Sequence, residues 1–71
     1  MNPHDYEEAT RRIDAAFDIP QFDVSGLIRT IYENHGRLPR DRRARYEYLP
    51  EDVLTKIEVI VRDVFHIGTG S

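Results

Sequence analysis

Five arginines, Arg37, Arg40, Arg42, Arg43 and Arg45, fall close together in the middle of the chain, and Tyr46 and Tyr48 follow directly. A guanidinium is a permanently charged, planar donor fork that pairs with carboxylate or phosphate, and a neighbouring aromatic ring adds a face on which a base can stack. The chemistry these residues offer is recognition of an anion. The anion is either an acidic protein surface or a nucleic-acid backbone.

Other chemistry finds little support. His4, His35 and His66 are far apart in sequence, with none of the tight spacings that metal ligands adopt, so no metal site is expected. His66 suits the end of a helix, where the dipole favours a cation. Neither a glycine-rich phosphate loop nor a nucleophile elbow is present, and Ser25 and Ser71 have no histidine within foreseeable reach. With no cysteine there is no disulfide and no thiolate ligand. The expectation is a protein without catalytic residues or a cofactor.

The arginines stand out because of what surrounds them. The formal net charge of the 71 residues is −3. Residues 1–36 carry seven acids against three bases, and residues 47–71 carry five acids against two, whereas residues 37–46 set five arginines against Asp41 alone. An acidic body therefore bears one basic band. The composition, 39% hydrophobic and 32% charged, is that of a globular domain and not of a disordered segment. So short a chain builds a small core, which a partner chain often completes. No apolar run nears the roughly 18 residues that cross a bilayer, and "MNPHDYEEATRR" has no apolar signal core. No membrane partner is expected, and the cytoplasm is the default location.

The band must be held by helices. Asn2 caps a first helix with Pro3 at its opening, and Tyr6, Ala9, Ile13, Ala16 and Phe17 recur at helical spacing. Glu7 with Arg11 and Glu8 with Arg12 fit surface pairs four apart. Pro20 is read as the stop of this segment. A second helix is expected from Val24 to about Asn34, with Asp23 or Ser25 as cap and Leu27, Ile28, Ile31 and Tyr32 facing inward; Gly36 supplies a left-handed end. "LPRD" and "LPED" then mark two further helix starts, each with a leucine able to pack back as a staple. The first opens a short helix from Pro39 to Tyr46. The second opens a helix from Pro50 to Phe65, whose Val53, Leu54, Ile57, Ile60, Val61, Val64 and Phe65 share a broad apolar arc.

On a helix over residues 39–46, Arg40 and Arg43 share one side and Arg42 and Arg45 roughly the opposite one. One pair can turn inward to the acidic helices while the other meets a partner. A helix-turn-helix reading fares poorly, because Arg42 and Arg45 occupy positions its second helix needs for packing. The last helix is a poor reader of phosphate, since Glu51, Asp52, Glu58 and Asp63 are expected on its outer face.

The expected fold is an all-α bundle of three longer helices and one short arginine-rich helix. One domain is expected over residues 1–66, with a flexible tail over 67–71. Its core draws on Tyr6, Ile13, Phe17, Phe22, Leu27, Ile28, Ile31, Leu49, Val53, Ile57, Ile60, Val61 and Val64. The expected function is a small non-catalytic interaction module or regulator, an inhibitor or antitoxin-like adaptor or an accessory domain. It would bind an acidic partner surface through Arg37, Arg40, Arg42, Arg43, Arg45, Tyr46 and Tyr48. The alternative is DNA or RNA binding through the same residues. A third reading is self-association through Val59, an apolar residue among charges.

Overall fold

Each of the four prolines opens a helix. The computed structural model describes residues 1–67. Helix α1 spans Pro3–Ala16, with Pro3 in its first turn and the Asn2 side chain accepting the His4 N–H at 2.8 Å. Pro20 precedes α2, Gln21–Glu33. Pro39 precedes α3, Arg40–Arg43, which tightens into a 3-10 turn over Ala44–Tyr46. Pro50 precedes α4, Glu51–Phe65. The last three prolines share an extended ψ between 141° and 151°, and the carbonyl of each accepts N–H groups from the first helical turn. An acid lies in the first turn of all four helices, beside the positive end of the dipole.

Helices α1, α2 and α4 pack on one another as a three-helix core, and the all-α bundle expected from sequence is the fold. Ile13, Val24, Leu27, Ile28, Ile31, Ile57 and Val61 are fully buried. Burial of such side chains stabilises by about 1.5–3 kcal/mol each, before the entropy of ordering them is set against it. Leu38 and Tyr46, from the connection between α2 and α4, close the core from the side.

Four sequence expectations fail here, at Pro20, Phe22, Ala16 and Tyr32. Pro20 starts α2; α1 has already ended at Ala16, and α2 begins at Gln21 where Val24 was expected. Ile19 and Val24, one residue before the cap and four residues into the helix, are both buried in the arrangement of a hydrophobic staple. Val24, Leu27, Ile28 and Ile31 then fix the inward face. Phe22 projects about 170° away from their mean direction at 100° per residue. It is not core: 88% of it is exposed. Ala16 also faces solvent, and Tyr32 sits on the rim with its ring against Phe65.

Helix ends use left-handed backbone. His35 and Gly36 close α2 at φ 59° and 91°, and His66 closes α4 at φ 56°. A Cβ on Gly36 would meet Arg62 Cγ at 2.7 Å, so glycine is required for space as well as angle. Arg62 Nη1 donates to the Gly36 carbonyl at 2.9 Å and ties the two ends together. Ile67, placed in the tail from sequence, packs partly buried against the core, and its N–H donates to the Arg62 carbonyl. The rest of that tail, residues 68–71, lies outside the described residues.

Candidate binding surface

Helix α4 carries a polar stripe beside its apolar arc. Glu51, Glu58 and Arg62 are spaced seven and four apart, so they line one edge of the helix. That edge clasps residues 36–43. Glu58 is buried, 7% exposed, and not on the outer face where sequence placed it. Its Oε2 accepts the Leu38 N–H at 2.6 Å, and its Oε1 accepts Arg43 Nη2 at 3.3 Å. Arg43 Nη1 also donates to Glu51, and Arg43 Nε to the Leu38 carbonyl at 3.2 Å. Each partner answers a need: a carboxylate taken out of water must be paired, and an N–H turned inward must find an acceptor. Arg43 is thus consumed inside the domain. On the opposite side of α4, Arg12 bridges Glu8 and Asp63 and joins α1 to α4, and these carboxylates raise its pKa, Asp63 most. Arg11 pairs with Glu8.

The other four arginines of the band face outward. Arg37, Arg40, Arg42 and Arg45 are exposed, and among the described residues the one carboxylate in salt-bridge range is Asp41, 3.8 Å from Arg42. Arg40 does not follow Arg43 inward, so the arginines do not divide pair by pair as expected: one member of a single pair turns in.

Tyr46 is buried, 6% exposed, with its hydroxyl above the backbone of Gly26. A Cβ on Gly26 would stand 2.5 Å from that oxygen, so the glycine lets the 3-10 turn settle on α2. Burial raises the Tyr46 pKa, Asp23 raises it further, and Arg45 and Arg42 pull the other way. Tyr48 is 57% exposed and donates its hydroxyl to Asp23. That bond is the main reason its pKa is pushed up to about 12.

Between α2 and the 3-10 turn lies an open groove of about 230 Å³, lined by Phe22, Ser25, Gly26, Arg29, Arg45 and Tyr46. The four α2 residues follow the i, i+3, i+4, i+7 pattern of one helix face. Sequence reasoning missed Phe22, Gly26 and Arg29 as site residues, although that spacing was readable once α2 began before Phe22. Among the described residues no three His, Asp or Glu side chains gather as a metal site would, and no helix is long and apolar enough to cross a membrane. Val59 is exposed on α4, away from its apolar arc. No protein-family model matches the chain, and no curated protein or solved structure matches it either.

Proposed function

We propose that this domain is a non-catalytic protein-interaction module that docks an acidic protein surface, acting as a regulator or as an accessory domain. The observation that carries this reading is the division of the arginine band. Arg43 is spent on Glu51 and Glu58, while Arg37, Arg40, Arg42 and Arg45 remain exposed, Arg45 at the groove that Phe22 also lines. Surface cations of this kind steer an acidic partner and set its register.

Nucleic-acid binding is the second reading, and Phe22 between Arg29 and Arg45 favours it as a stacking platform. Against it stand Asp23, Asp41 and Glu47, carboxylates interspersed with the cations, which would repel an evenly charged phosphate chain. The ring of Tyr46, counted from sequence among the stacking candidates, is buried.

The test is fluorescence anisotropy of labelled poly-L-glutamate and of a mixed DNA and RNA oligonucleotide pool, each titrated with the full chain at low and moderate salt. The expected result is binding to poly-L-glutamate that weakens about tenfold or more in the double variant Arg42→Glu, Arg45→Glu with unchanged thermal unfolding. Tighter binding to the oligonucleotides, with a steep salt dependence, would put the second reading in front.

A further inference from the structure

The groove between α2 and the 3-10 turn holds two things the fold does not need. Phe22 points almost directly away from the core, and its ring contributes little to packing at 88% exposure. A large apolar side chain left in water beside a concave surface is a contact in waiting. Arg29 and Arg45 reach the same groove from different elements, and neither forms a salt bridge with a described carboxylate. Tyr46 also lines the groove, with its hydroxyl beside Gly26. An aromatic ring, two cations and a hydroxyl thus meet at one place.

We infer that this groove takes a short acidic peptide segment of a protein partner, with a large apolar side chain packed on Phe22 and flanking carboxylates on Arg29 and Arg45. The inference rests on the interaction-module reading and adds the anchor and the class of partner. Charge complementarity selects the occupant, because two cations without internal partners call for anionic groups. Size agrees: about 230 Å³ is below the range of roughly 300–1,000 Å³ typical of small-molecule sites, and it has room for one large side chain. A second copy of this chain is a poor occupant. A two-fold contact places the same patch on both sides of the axis, so Arg29 and Arg45 would face their own equivalents. A nucleic-acid strand must run its phosphates past Asp23, which a peptide with two or three well-placed carboxylates can avoid.

The experiment is selection of a phage-displayed random dodecapeptide library on the immobilised full chain, in parallel with the variants Phe22→Ala and Arg29→Glu. Enriched peptides are then synthesised and measured by anisotropy, and oligo(dT) and oligo(rU) are offered as competitors. The expected outcome is enrichment of sequences in which Asp or Glu flank one large apolar residue. Phe22→Ala should weaken these peptides roughly 30-fold, as truncation of an aromatic anchor does, and Arg29→Glu about tenfold or more. Because both residues are on the surface, thermal unfolding should be unchanged. Enrichment no greater than on Phe22→Ala overturns the inference, as do enriched peptides without acids. Competition by the oligonucleotides overturns it in favour of nucleic acid. A concentration-dependent doubling of mass in light scattering that Phe22→Ala abolishes would give the groove to a second copy instead. Acidic peptides that survive Phe22→Ala and Arg29→Glu but are lost on the double variant Arg40→Glu, Arg42→Glu, which lies outside the groove lining, would remove the groove and leave the interaction module standing. Failure of both these peptides and poly-L-glutamate would remove the two together.

Discussion

On its α4 side, the connection of residues 37–48 is paired. Glu58 accepts from the Leu38 N–H and from Arg43, Arg43 also holds Glu51, and Arg62 holds the Gly36 carbonyl. On its α2 side, the same connection packs Tyr46 on Gly26 and leaves Arg45 exposed over a groove beside Phe22 and Arg29. Arg43 and Arg45 are two residues apart and identical in type. What separates them is the neighbouring helix edge. The edge of α4 offers a buried carboxylate that needs a cation, whereas the face of α2 offers a glycine and a phenylalanine that need none. Burial on one side creates the demand that the other side lacks.

The sharpest way to break the paired side is Glu58→Leu. The Leu38 N–H then loses its acceptor and Arg43 loses its inner partner, and the domain should lose about 2–4 kcal/mol in urea unfolding. Glu58→Gln should cost less, because the amide oxygen can still accept from Leu38. Equal losses in the two variants would mean that packing, not pairing, holds this edge.

The open side can be probed at Gly26. Gly26→Ala should destabilise by about 1–2 kcal/mol, since its Cβ would stand 2.5 Å from the Tyr46 oxygen. With Tyr46→Phe the next atom is 3.8 Å away, so in that background the alanine should be neutral or stabilise by up to ~1 kcal/mol through helix propensity. A double-mutant cycle by thermal unfolding reads the change of sign. If the alanine is equally costly in both backgrounds, the Tyr46 hydroxyl is not what demands a glycine at position 26.

How far the sequence revealed this arrangement follows from the same residues. Helical periodicity and proline starts carried the helices and the inward positions Ile13, Leu27, Ile28, Ile31, Ile57 and Val61, because amphipathic spacing is a local property. Phe22 was misplaced because Pro20 was read as a stop, which left an aromatic outside any helix and assigned to the core by size. Glu58 was misplaced for a different reason. Whether a loop covers one edge of α4 depends on where residues 36–43 pass in space, and no spacing within α4 reports that. The two-sided geometry of the arginines was readable in outline, yet not which arginine would find a buried carboxylate.

The smallest effect concerns the contact between the connection and α2. The folded pKa of Tyr48 lies at about 12, above its ordinary 10.0, because its protonated hydroxyl donates to Asp23. A raised pKa means that the contribution is present below pH 10 and is lost as pH climbs towards about 12. Tyr48→Phe should remove that part of the alkaline decline in stability, and the change should be slight because the residue is exposed. Urea unfolding across this range would show it as a shallower slope, and an unaltered slope would deny the bond a role.

The central claim is that one arginine of the band builds the domain while its neighbour is held out for a partner. Urea unfolding of Arg43→Ala and Arg45→Ala, measured side by side, tests it most directly. Arg43→Ala should lose about 1.5–3 kcal/mol, because Glu58 stays buried without its cation, and Arg45→Ala should stay within about 0.5 kcal/mol of the parent. Equal losses, or a larger loss at Arg45, would contradict the division of the band.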